Sequence, residues 1–191
     1  MTEPRATLVL RDGAALLERA IGYALGQLSN VTPGTLARRT PCPDWDLAAL
    51  LLHVDDSLAA LQEAMALGEV SPGIVVGSGD LAAAVRDRAS LLLGSLAGEH
   101  QPLVCVGGYP LPAEIVTSAG AVDIAVHGWD IARACGRPGP IPGPLAGEIL
   151  EVSRLLITEA DRPGRFGSPV PLSPQASVSD RLVAYLGRDP G

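Results

Sequence analysis

The sequence predicts an all-α fold, a helical bundle with an additional helix and an irregular C-terminal extension. Two observations carry this. Apolar residues recur at intervals of three and four along long segments, the spacing that lines one face of a helix. Apolar residues also make up 47% of the chain while aromatics make up only 3%. The core is therefore built from Leu, Val, Ile and Ala, which favours helix packing over a β-sandwich. A chain of 191 residues is long enough for a full hydrophobic core. With no internal repeat, low-complexity segment or break in composition, it reads as one domain over 1–191.

The elements follow in order. Leu10, Ala14, Leu17, Ile21 and Leu25 form one stripe of a first helix over 4–28. Residues 30–43 contain Pro33, Gly34, Pro41 and Pro43 and read as a connecting loop. Asp46 is a good N-cap for a second helix running to 67 through Leu50, Leu51, Val54, Leu58 and Leu61, closed by Gly68 and Pro72-Gly73. A short extended piece over 74–76 is a weak candidate between glycines. Asp80 caps a third helix over 81–96, with Gly98 beyond its end. Residues 103–106 are a short strand or a packed loop. A further helix starts after Pro112 and ends at Gly136, a fitting C′ residue ahead of Pro138. Residues 145–161 read as a fifth helix, 162–177 as irregular, and 179–186 as a short terminal helix.

Charge and cysteine usage narrow the function. A net charge of −7 argues against a nucleic-acid surface, which needs clustered basic residues. All the basic residues are Arg, a bias expected of a GC-rich genome. No apolar run is long enough to span a bilayer, and residues 1–13 lack the apolar core of a signal peptide. Cys42, Cys105 and Cys135 are odd in number and widely spaced, so a reduced, cytoplasmic chain is expected. The partner expected is a small-molecule substrate, with no nucleic acid or membrane and a homodimer as the candidate assembly.

The chemistry concentrates in the stretch from Ala121 to Ala134. Asp123, His127 and Asp130 stand at i, i+4 and i+7, on one helix face. An acid and an imidazole one turn apart lie roughly 6 Å from each other, close enough to share a metal ion. A third ligand has to come from another helix. Of the three histidines, His100 lies in a polar connection and reads as a solvated loop residue, whereas His53 and His127 lie in apolar helices. Either alone reads as a hydrogen-bonded core residue. Two on separate helices, one with an acid a turn before it, point to a metal site inside a bundle. Asp130 either holds a ligand imidazole in its tautomer or pairs with Arg133 on the helix surface. Asp55 and Asp56 are placed near the mouth of the site or in water. Trp129 is expected in the core or at the rim. Cys42 is read as a buried structural thiol rather than a nucleophile, since a reactive thiolate needs a cationic neighbour or a helix N-terminus. No G-x-S-x-G elbow, phosphate loop or dinucleotide fingerprint is present.

Three segments together resemble a known family. Thr40-Pro-Cys-Pro-Asp-Trp-Asp-Leu47 leading to Leu52-His53 is similar to the opening of the mycothiol-dependent maleylpyruvate isomerase N-terminal domain, within the DinB-like superfamily of metal-binding four-helix bundles. Val126-His-Gly-Trp-Asp-Ile-Ala-Arg133 resembles its second signature. The ending, with Phe166-Gly, Asp180-Arg-Leu and Leu186-Gly-Arg-Asp-Pro190, resembles an actinobacterial subgroup of metal-binding proteins. The resemblance implies a divalent metal, usually zinc, held by His53, Asp123 and His127, with mycothiol as co-substrate. Asp123 stands where the isomerases carry Glu. A side chain shorter by one methylene needs closer helices or a bridging water to reach the ion.

The expected function is therefore a metal-dependent enzyme acting on a small electrophilic metabolite, as a mycothiol S-transferase or a thiol-assisted isomerase. The competing reading is a non-catalytic small-molecule-binding bundle, or a cyclase or dehydratase of secondary metabolism using the cavity without metal.

Overall fold

The long helices form where the apolar period places them. In a computed structural model that describes residues 13–42, 44–70, 79–98, 101–137, 139–162 and 164–191, α1 spans Gly13–Leu28, α2 Leu47–Leu67, α3 Leu81–Leu96 and α4 Ala113–Ala134. The expected beginning of the first helix (4–12), the piece at 74–76 and His100 lie outside the described residues. Asp46 caps α2 by accepting from the Ala49 N–H at 2.9 Å, and Asp80 caps α3 by accepting from the Ala83 N–H at 3.1 Å. α2 stops at Gly68, whose left-handed backbone (φ 74°) suits a residue without Cβ. α4 ends at Gly136, where the Arg137 N–H donates to the Ala132 carbonyl and the Gly136 N–H to that of Arg133, both at 3.0 Å.

Residues 103–106 form a strand. β1 (Glu69–Val70) pairs parallel with β2 (Leu103–Val106), which pairs antiparallel with β3 (Tyr109–Pro112). Val104 is buried in the core, with Val70 and Val106 packed partly buried against it, so the sheet is an accessory to a helical bundle. α5 covers Gly143–Leu156 and α6 Val178–Tyr185. The expectation that the fifth helix continues to 161 is corrected. Ile157 is extended and buried, and Thr158 opens a separate 3-10 turn over Glu159–Asp161, its N–H held by the Asp161 carboxylate at 2.9 Å. A Thr offering a cap competes with continuation of the helix.

α4 lies at the centre. It packs most extensively on α1, and also meets α2 and α5, while α3 covers α2. Between Gly120 and Ala132 every residue of α4 except Asp123 is buried. Among the described residues no helix is long and apolar enough to cross a membrane.

Gly128 permits the close approach of α4 to α1, since a Cβ there would stand 3.0 Å from the Cα of Ala24 and 3.0 Å from the Tyr23 ring. Gly22, on the exposed side of α1, has nothing within 4 Å of the same position. Helix propensity favours Ala over Gly at both sites by about 1 kcal/mol, so packing alone separates them. Gly22→Ala should raise the thermal midpoint. Gly128→Val should destabilise by about 1–3 kcal/mol through overpacking, measured as a lowered midpoint in thermal unfolding.

Candidate metal centre

α2 and α4 bring three donors together. His53 projects from the second turn of α2, whose start is fixed by the loop before it: the Leu47 N–H donates to the Arg38 carbonyl and the Ala48 N–H to the Leu36 carbonyl, both at 2.9 Å. Arg38 also donates to the Cys135 carbonyl at 3.1 Å, tying that loop to the end of α4. Across the interface, His53 Nε2 lies 3.5 Å and His127 Nε2 3.3 Å from the same atom, Asp123 Oδ1. The two imidazole rings stand edge to face, with centroids 4.9 Å apart.

These spacings fit a metal ion. Bonds of about 2.0–2.1 Å in a tetrahedral zinc site put neighbouring donor atoms about 3.3 Å apart, close to both observed distances. One donor atom from each residue lies within 4.8 Å of the others. Asp123 Oδ2 is buried without a hydrogen-bond partner among the described residues, an orphaned lone-pair donor in a cluster of donors. Asp123 therefore reaches the donor cluster despite being shorter than Glu, because α2 and α4 pack closely there. Cys42, His127 and Asp130 form a second group of donor atoms. The Arg188 guanidinium touches both Cys42 Sγ and Asp130, and its charge disfavours a cation there.

Behind His127, Nδ1 stands 3.0 Å from Asp130 Oδ2. Of the two roles open to Asp130 in the sequence, the geometry brings it to His127. Arg133 instead lies over the Trp129 ring, 5.4 Å from its centroid, and Trp129 is a core residue. Asp130 also meets Arg188, with Nη2 to Oδ2 at 3.0 Å and Nε to Oδ1 at 3.4 Å. Arg188 Nη2 lies 3.4 Å from Cys42 Sγ.

Two placements differ from expectation. Cys42 is half-buried on the cavity wall beside a guanidinium and the Asp130 carboxylate rather than buried in the core. Asp55 is not at the mouth: it is buried against α3 and paired with Arg88 at 3.4 Å, while Asp56 faces solvent. Trp45 and Arg188 were not singled out by the sequence reasoning. The Trp45 ring lies 4.6 Å from that of His53 and 5.9 Å from that of His127, walling the donors. Both residues stand in the segments that carry the family resemblance, which was the available signal.

The donors open onto a cavity of about 690 Å³. Part of its wall comes from the C-terminal extension, including Phe166, Leu186 and Arg188, and part from Val122 and Val126 of α4. A space of this size, part apolar and with a few converging polar groups, has the character of a small-molecule site.

The sequence profile of the mycothiol maleylpyruvate isomerase N-terminal domain matches residues 17–132, which hold His53, Asp123, His127 and Asp130. The chain belongs to this family. Two relatives from Mycobacterium tuberculosis, strains CDC 1551 and H37Rv, each described as an uncharacterised protein, are 28% identical to it over 177 residues. The match covers 90% of this chain and 94% of each relative. No solved structure matches the chain significantly. The family's description names mycothiol and maleylpyruvate isomerase.

Electrostatics tie the cluster together. Burial alone would raise the Asp123 carboxyl, but hydrogen bonds and charge from His127 and His53 hold it well below the usual carboxylate range. Burial likewise opposes the charged form of Asp130, and His127 and Arg188 outweigh it to lower that carboxyl. The His127 ring is depressed by burial, yet its contacts with Asp123 and Asp130 carry it well above the ordinary imidazole value.

A pH profile follows for the metal-free protein. Both carboxyls titrate below their unfolded value of about 3.9, so their stabilisation is present above it and is lost as pH falls through the folded values. His127 titrates above its unfolded value of about 6.5, so its stabilisation is complete below that and is lost as pH rises through the folded value. The urea midpoint should therefore be highest between about pH 4 and 6.5 and decline on the alkaline side. His127→Gln should remove that alkaline decline.

Proposed function

We propose that this protein is a metal-dependent enzyme acting on a small electrophilic metabolite, as a mycothiol S-transferase or a thiol-assisted isomerase. The observation that carries the reading is the convergence of His53 Nε2 and His127 Nε2 on Asp123 Oδ1 at the wall of a small-molecule cavity. Two imidazoles and a carboxylate are a common zinc set that leaves a position open for a further ligand. The family's description supplies the thiol.

A divalent ion, zinc on this donor set, would be held by His53, Asp123 and His127 and would favour the deprotonated, nucleophilic form of a thiol at neutral pH. The chain's residues do the rest. Asp130 accepts from His127 Nδ1–H, which selects the tautomer whose Nε2 lone pair faces the other two donors. Trp45 shields the imidazoles from bulk water on one side, and Phe166 and Leu186 supply apolar wall for the electrophile. Excluding water protects a reactive thiolate and strengthens the local field.

Zinc content and turnover test this. Protein purified without chelator should retain about one equivalent of zinc, as expected of a three-residue catalytic site. Asp123→Asn should reduce zinc affinity by more than the roughly 10–100-fold typical of losing a residue that only supports a ligand. Asp123→Glu should retain the metal, since the longer acid is the one the resemblance associates with this position. Turnover of electrophiles should require both the ion and added mycothiol. Full turnover from a metal-stripped His53→Ala, His127→Ala double variant would overturn the mechanism.

A further inference from the structure

Arg188 lies beyond residues 17–132, the segment matched by the family profile. Its guanidinium is nevertheless buried against Asp130, the carboxylate that meets His127 Nδ1. We propose that Arg188 is a positioning residue of the metal centre, acting on His127 through Asp130. This rests on the reading of His53, Asp123 and His127 as ligands.

The geometry runs as a relay. An imidazole presents Nε2 in a fixed direction only when its ring cannot turn, and here the restraint is the 3.0 Å contact between Nδ1 and Asp130 Oδ2. A carboxylate held by one contact can itself rotate. Arg188 grips both oxygens, Oδ2 through Nη2 and Oδ1 through Nε, and this two-point contact fixes the carboxylate plane. Its charge also compensates a carboxylate that has no access to water.

Arg188 has a fixed seat of its own. Its Nη1 donates to the Leu186 carbonyl at 3.0 Å. The preceding Gly187 has φ 84°, and a Cβ there would stand 2.5 Å from the Cα of Gly167, so only glycine fits. Gly167 is held in turn by the buried Arg162, whose Nη1 donates to the Gly167 carbonyl at 3.1 Å and to the Tyr185 carbonyl at 3.0 Å. The C-terminal extension is thus clamped where it must be for Arg188 to reach Asp130. Lys in this place carries the charge but not the planar fork.

The test compares wild type with Arg188→Met, Arg188→Lys, Asp130→Asn and the double variant Arg188→Met, Asp130→Asn. Zinc affinity is measured by chelator competition at fixed pH, the ligand field by the absorption spectrum of the cobalt(II)-substituted protein, and folding by circular dichroism and the thermal midpoint of the metal-free form. Arg188→Met should bind zinc about 10–100-fold more weakly and shift the cobalt spectrum. Arg188→Lys should recover part of the affinity. The double variant should be no weaker than the poorer single variant, because the two residues act through one contact.

Wild-type affinity and an unchanged cobalt spectrum in Arg188→Met, with only a lowered thermal midpoint, would overturn the proposal. So would additive losses in the double variant, which would mean that Arg188 acts independently of Asp130. If Arg188→Met fails to fold, Arg188→Lys decides, since it keeps the charge without the planar fork: weaker zinc binding with a shifted cobalt spectrum supports the proposal, and wild-type affinity with an unchanged spectrum overturns it. Wild type that binds no zinc would overturn the reading of the centre itself and this inference with it.

Discussion

Asp130 is a carboxylate with no exposure to solvent, and a charge so placed survives folding only when partners replace its hydration. The surroundings of α4 follow from that demand. Arg188 lies on one side of Asp130 and His127 on another, while Cys42 Sγ is 3.6 Å away. His127 then meets Asp123, and Asp123 meets His53, so acids and bases alternate from the C-terminal extension through α4 to α2. Such alternation keeps a low-dielectric interior free of unopposed charge. It also explains why one end of the bundle needs an extension: among the described contacts of Asp130, the guanidinium comes from Arg188, beyond α1 to α4.

The helical framework was legible because its causes are local. Asp46 and Asp80 are short acids immediately before apolar periods, and each caps the helix expected of it. Gly68 and Gly136 follow the last residues of such periods and adopt the left-handed backbone that ends a helix. The limit of the fifth helix was not legible. Apolar spacing through Ile157 continues the helical pattern, while the competing turn at Thr158 depends on a side-chain hydrogen bond to Asp161 that the period does not register. The strand over 103–106 was equally balanced, because its pairing with Glu69–Val70 is a contact between distant segments.

For the site, spacing placed Asp123, His127 and Asp130 on one face, and the scarcity of histidine brought in His53. What spacing could not give was direction. Asp55 stands two residues after His53, which turns it toward α3 and Arg88 rather than toward the cavity. Cys42 lacked a visible cation because Arg188 is 146 positions away in sequence. Arg188 itself lies in a proline- and glycine-rich tail whose register against α4 depends on a clash-free approach of Gly187 to Gly167. Tertiary approach of this kind leaves no periodic trace.

The same sequence separation bears on how the protein is made. Closing a contact over 146 positions carries a larger loop entropy than any pairing within α1 to α4 shorter than that span. Synthesis runs from the N-terminus, so the bundle helices leave the ribosome well before residue 188. During that interval Asp130 has His127 but not its guanidinium, and the cavity lacks the wall formed by Phe166 and Leu186. The nascent bundle therefore lacks this wall, and arrival of the segment over 164–188 completes the cavity around the donors.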